Sequence, residues 1–173
     1  MSAPDVAAVA RRLVASADAL TALVEDVDGD ESRWKLTPEK WSINDIFGHL
    51  IDEERHDFRQ RVQILLEDPT RPWPPIDPEG WVREKNFNAR ALSDLTGEFL
   101  AERQRSVAWL VTQGSANWDQ ACTHPTAGVL SAWGLLHNWA AHDLLHVRQI
   151  VAVRYARLAV KTAPATLDYA GRW

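Results

Sequence analysis

Apolar residues recur at three- and four-residue intervals along four stretches of the chain, and each stretch predicts an amphipathic helix. Between Pro4 and about Val27 the stripe is Val6, Val9, Ala10, Leu13, Val14, Ala17, Leu20, Leu23, Val24 and Val27. A second helix is expected from Ser42 to about Glu67, with Ile46, Phe47, Leu50, Val62, Leu65 and Leu66 on its inner side. Ser42 and Asp45 stand in capping-box spacing at its start, and Pro69 marks its stop. A third helix follows Ser93, carries Leu95, Phe99, Val107, Leu110 and Val111 inward, and ends by Gly114. The fourth begins near Ser131 and runs through Trp133, Leu136, Trp139, Ala140, Val147, Ile150 and Val151 to about Leu158. No alternating stretch of comparable length predicts a strand. The expected fold is therefore all-α, a four-helix bundle over residues 1–173 as a single domain, with short strands admitted only in the connections.

The connection from Asp68 to Leu92 carries Pro69, Pro72, Pro74, Pro75 and Pro78 together with Trp73, Trp81 and Phe87. It is longer than two adjacent antiparallel helices need, so a long crossover between helices 2 and 3 is expected. Its aromatic residues are expected to close one end of the bundle rather than to touch a substrate. Trp133 and Trp139 follow the inward stripe of the fourth helix and read as core, while Trp41 reads as packing just before a helix cap. The segment Asp168–Trp173 is expected to dock or fray.

Composition narrows the function. Hydrophobic residues make up 46% and charged residues 25% of the chain, as in an ordinary globular protein. The 19 basic and 24 acidic residues leave a formal charge of −5, which argues against a general nucleic-acid binder. The start Met1-Ser2-Ala3-Pro4-Asp5-Val6 lacks the basic-then-apolar pattern of a signal peptide, and no run of about 20 apolar residues predicts a membrane span. Cys122 is the one cysteine, so no internal disulfide can form and a reducing, cytoplasmic setting is expected. His124 stands two residues from Cys122, and a Cys-His catalytic pair has to be weighed. Pro125 biases His124 towards extended backbone, and the expectation is an incidental cysteine.

The candidate chemistry lies in the fourth helix. His142 and His146 are four residues apart, which on a helix leaves about 40° between their side chains and about 6 Å of rise, a gap two imidazoles can close around one ion. A third histidine is available at His49 in the second helix. Three neutral imidazoles with a fourth position left open is the arrangement of catalytic rather than structural zinc sites. Histidines four apart also occur on helices with nothing but solvent to bind. His56 is about 10.5 Å along the axis from His49, and His137 about 140° around from His142, so neither is expected to join them. Gln149 shares the face of the pair and could orient a ligand. Asp143 lies about 100° off it, with a solvated or interhelical polar role expected. Glu53, one turn beyond His49, is weighed as a water-orienting base or a support for the site, with an ordinary surface carboxylate favoured.

The run Trp41-Ser42-Ile43-Asn44-Asp45-Ile46-Phe47-Gly48-His49-Leu50, the run His142-Asp143-Leu144-Leu145-His146-Val147-Arg148-Gln149-Ile150, and the approach Gly128-Val129-Leu130-Ser131 together resemble the DinB-like (DinB/YfiT) superfamily, in motif order over nearly the whole chain. The resemblance implies a four-helix bundle with a long crossover, often a homodimer, and a divalent metal held by His49, His142 and His146. Zinc or nickel is the first expectation for the ion, with manganese and iron(II) also admitted. It further implies a metal-dependent enzyme that activates water or a low-molecular-weight thiol towards a small-molecule substrate, of the thiol S-transferase, isomerase or hydrolase type. The competing expectation is a non-catalytic, stress-associated metal-binding bundle that engages a ligand or partner.

Overall fold

The computed structural model describes residues 5–171. Its first helix, α1 (Val6–Ala22), is capped by the Asp5 carboxylate, which accepts from the Ala8 N–H at 2.8 Å. Pro4, where the helix was expected to open, lies outside the described residues. At the other end the helix stops short of Val27, yet Val24 remains buried in the following turn, so the apolar spacing outlasts the helix itself. A short helix α2 (Gly29–Arg33) follows.

The second long helix is built from α3 (Ile43–Asp52), one π-helical turn over Glu53–Asp57, and α4 (Phe58–Glu67). Ser42 and Asp45 close the expected capping box, each side chain bonding the other's backbone N–H at 3.1 Å. Every residue of α3 is buried, including Asn44, Asp45, His49 and Asp52. The crossover holds a further helix, α5 (Pro78–Lys85), capped by Asp77 and ended by Asn86 in the left-handed region at φ 45°. Two long helices complete the bundle, α6 (Leu92–Leu110) and α7 (Ala132–Thr162). Between them lies a hairpin of β1 (Ala121–His124) and β2 (Gly128–Ser131), antiparallel, with Cys122 opposite Leu130. Gly128 takes φ 73° where the hairpin turns back, a conformation that glycine adopts without strain. The α7 helix outlasts its expected end at Leu158 and stops just before Pro164, which has no N–H to continue the ladder. No described helix is long and apolar enough to cross a membrane.

Helix directions follow from which residues meet. Phe47 packs on Phe99, and Arg59 reaches Ser106, so α3 and α4 run parallel to α6. Phe58 stacks on Trp139 and His49 meets His142, so they run antiparallel to α7. Arg103 donates to the Leu13 carbonyl on α1, and Arg154 near the end of α7 donates to the Leu23 carbonyl just past α1. The bundle is thus up-down-down-up, and the long crossover returns the chain along the bundle's length so that α6 can lie parallel to α3 and α4. Along the way Phe87 is buried against α3 at Gly48, where any Cβ would overlap its ring. The crossover aromatics therefore run along the flank of α3 and α4 as well as the bundle end. Trp81 meets His56 and Trp73 meets Arg61.

The core is divided in two. One apolar cluster gathers Val9, Leu13, Phe58, Val62, Leu110, Leu136 and Trp139, and the other Leu20, Ile43, Phe47, Leu50, Leu95, Phe99 and Ile150. Between them lies a polar layer centred on Arg103, which is 2% exposed. Its guanidinium forms a two-pronged pair with Asp143 at 2.6 and 2.8 Å and meets Glu54 at 2.7 Å. Glu54 also accepts from Ser106 at 2.5 Å and from the Trp139 indole at 2.9 Å. Replacing Arg103 with Met leaves two buried carboxylates without a cation. It is expected to cost about 3–5 kcal/mol, read as a lower midpoint in urea unfolding.

Candidate metal centre

Two elements deliver the site. His49 comes from α3, and His142 and His146 come from successive turns of α7. The His142 Nε2 lies 3.3 Å from that of His49 and 3.1 Å from that of His146, and the three ligating atoms fit within 4.8 Å. A tetrahedral ion with metal–nitrogen bonds of about 2.0–2.1 Å sets its ligand nitrogens roughly 3.3 Å apart, so this spacing is compatible with a metal site. The structure thus brings together all three histidines singled out in the sequence. His137 instead sits on an exposed face with its Nδ1 at the Trp133 carbonyl, and His56 is exposed against Trp81.

The outer ring nitrogens are fixed from behind. Gln149 Oε1 lies 2.8 Å from His146 Nδ1, so the amide oxygen accepts a proton there and leaves the Nε2 lone pair free. Behind His49, Glu53 Oε1 stands 3.6 Å from Nδ1, and neither buried atom has another hydrogen-bond partner. Trp41 walls the site, stacked parallel to His146 at 6.4 Å and tilted against His49 at 4.8 Å. Phe58 covers one side of His142, the one ring of the three that keeps partial access to solvent.

Two expectations are corrected by burial. Glu53 is 5% exposed, not a surface carboxylate, because α3 is buried along its whole length and the first two residues of the π turn continue that burial. It faces the back of the His49 ring rather than the convergent nitrogens, so it backs that imidazole and does not reach the convergent face. Asp143 is interhelical as expected, but it is fully buried with Arg103 and not solvated. Cys122 and His124 lie on a strand rather than in a loop. Burial pushes the Cys122 thiol up, and His124 Nδ1 accepts from the backbone N–H groups of Thr126 and Ala127, so the pair lacks an activated thiol and an available Nδ1 base.

Arg103, Glu54 and Asp57 escaped the sequence reading. A signal was present for the first two: Phe99, Arg103, Ser106 and Leu110 hold the three- and four-residue spacing of a core stripe, and Glu54 lies one turn after Leu50 on another. A polar row continues from His49 through Glu53 and Asp57 to Arg61, whose Nε lies 2.6 Å from the Asp57 carboxylate.

The family model of the DinB superfamily matches residues 12–150. The chain belongs to the DinB superfamily. Among solved structures of this fold, YfiT from Bacillus subtilis matches with a TM-score of 0.76 at 18% sequence identity, over 88% of this chain and 87% of that one. That protein is described as a probable metal-dependent hydrolase with an unusual four-helix bundle topology. At this identity the likeness is one of fold. No curated protein matches the chain. For this DinB protein the up-down-down-up order explains how histidines so far apart in sequence meet: α3 and α7 are antiparallel neighbours.

Burial, reinforced by the neighbouring imidazoles, lowers His49 to about 2 and His142 to about 3, and burial lowers His146 as well. Burial and then the nearby Asp57 raise Glu53 to about 9. The two effects on stability oppose one another. Below about pH 6.5 the unfolded chain takes up protons that the folded histidines refuse, so stability falls as pH drops. From about 4.5 up to about 9 the folded state keeps a Glu53 proton that the unfolded chain releases, so this carboxyl costs stability as pH rises. Urea midpoints of the metal-free protein are expected to fall on both sides of roughly pH 6–7. In Glu53→Gln the alkaline decline should shrink while the acid one persists. Identical alkaline slopes in parent and variant would show that Glu53 is ionised in the fold.

Proposed function

We propose that this DinB protein is a metal-dependent enzyme in which His49, His142 and His146 hold one divalent ion through Nε2, residues 1–173 acting as one domain. The convergence of three neutral, desolvated imidazole nitrogens carries the reading, since such a set has little use for its lone pairs except a cation. Imidazole ligands suit zinc or nickel first, with manganese and iron(II) as alternatives. When bound, such an ion supplies Lewis acidity that makes water or a small thiol nucleophilic near neutral pH. The chain's own part is to present the three nitrogens, to fix the His146 tautomer through Gln149, to back His49 with Glu53, and to exclude water on the Trp41 side. Among the described residues no carboxylate joins the three convergent nitrogens, so the nucleophile's activation is assigned to the ion rather than to a protein base. Hydrolysis of a small-molecule substrate is the reading we place first, with transfer of a low-molecular-weight thiol to an electrophile as its finer alternative. The lone cysteine is in keeping with a cytoplasmic setting. A homodimer, the state proposed here, is tested by sedimentation.

Protein purified without an affinity tag is expected to hold about one equivalent of metal by elemental analysis. His49→Ala, His142→Ala and His146→Ala should each lose it, and His137→Ala and His124→Ala should keep it. Gln149→Leu is expected to weaken affinity about 10–100-fold by calorimetry. A parent that refuses zinc, nickel, manganese and iron(II) would sink the proposal. Turnover is checked on a panel of esters, amides and thiol–electrophile pairs, where activity should vanish on chelation and return with the ion. Stoichiometric metal without turnover on any of them would favour the non-catalytic bundle.

A further inference from the structure

A second cavity, of about 480 Å³, opens between the crossover and the β-hairpin, bordered by Arg61, Arg71, Trp73, Cys122, His124 and several prolines. None of the three convergent histidines borders it, and Arg61 lies twelve residues beyond His49, roughly 18 Å along the helix axis. Its lining contains two arginines and a histidine but no Asp or Glu. Asp57 holds Arg61 from the helix side, and Arg71 faces the exposed Glu67 carboxylate at 3.7 Å, with the exposed Asp68 near enough to feel its charge. His124 adds a donor. Its Nδ1 accepts from two backbone N–H groups, which leaves the ring proton on Nε2. Part of the wall is flat and apolar: the Trp73 indole has the Arg61 guanidinium over its face at 4.6 Å and the His124 ring 5.6 Å away, and proline rings of the crossover lie beside it.

We propose that this cavity is a binding site, separate from the histidine centre, for a small aromatic carboxylate. The ring would lie among Trp73 and the prolines, and the carboxylate would accept from the arginines and from His124. Cationic donors without a competing carboxylate in the lining select for an anion, and planar walls select for a flat body.

Cys122 is the only thiol in the chain and lies in the cavity wall, so its alkylation by neutral iodoacetamide reports on this place alone. In that reaction the thiolate sulfur displaces iodide and the thiol proton passes to buffer. Benzoate is expected to slow the labelling saturably. Benzyl alcohol, which has the ring without the charge, should need at least about tenfold higher concentration for the same protection. Arg71→Gln alters an exposed side chain. With each protein compared against its own unprotected labelling rate, the variant should raise the half-protecting benzoate concentration about tenfold. His142→Ala should retain full protection, since the site is independent of the metal reading. No protection by benzoate would overturn the proposal, as would equal protection by benzyl alcohol or loss of protection in His142→Ala.

Discussion

Arg103 carries a charge at a level of the bundle that is nearly closed to water, and the arrangement of the helices answers to that single constraint. A guanidinium taken out of water is tolerated only when its donors are met by carboxylates and carbonyls in good geometry. Here the partners come from each of the other three long helices: Leu13 on α1, Glu54 in the π turn, and Asp143 on α7. An apolar core of the same volume could slide or rotate with little penalty, whereas the two-pronged pair to Asp143 admits one rotation of α7.

That rotation places the candidate centre. Asp143 points inward to Arg103, which turns its neighbours His142 and His146 towards α3 rather than into solvent or the second apolar cluster. The same logic operates on the facing helix. Glu54 is held by Arg103, Ser106 and Trp139, and Glu53, four residues after His49, is presented to the back of that ring by ordinary helical spacing. The buried ionic layer and the histidine cluster are therefore adjacent parts of one polar stratum between two apolar cores. One part fixes orientation, and the other keeps lone pairs in place for a ligand.

Family membership and shared fold leave the reaction open, since one bundle can carry several chemistries on the same histidines. What the local geometry adds is a division of labour. Gln149 and Glu53 act on the far side of the rings, Trp41 and Phe58 shape the near side, and His142 alone keeps access to solvent. Solvent therefore reaches the cluster from the His142 side.

Much of this was legible in the residues alone. The four helices, the capping box at Ser42 and Asp45, the crossover and the i, i+4 pair at His142 and His146 are local properties, governed by periodicity and by groups within a turn of each other. The third histidine could be named but not placed, because its distance from the pair depends on which helices are neighbours and in which direction they run. Burial was harder still. Glu53 reads as a surface carboxylate and Asp143 as partly solvated when each helix is taken singly, since an isolated helix always has an outer side. Only the packing of the other helices decides it: α3 and the start of the π turn are enclosed, which buries Glu53, and Arg103 on α6 meets the inner side of α7 at Asp143, so the solvent that would have kept these carboxylates ordinary is excluded.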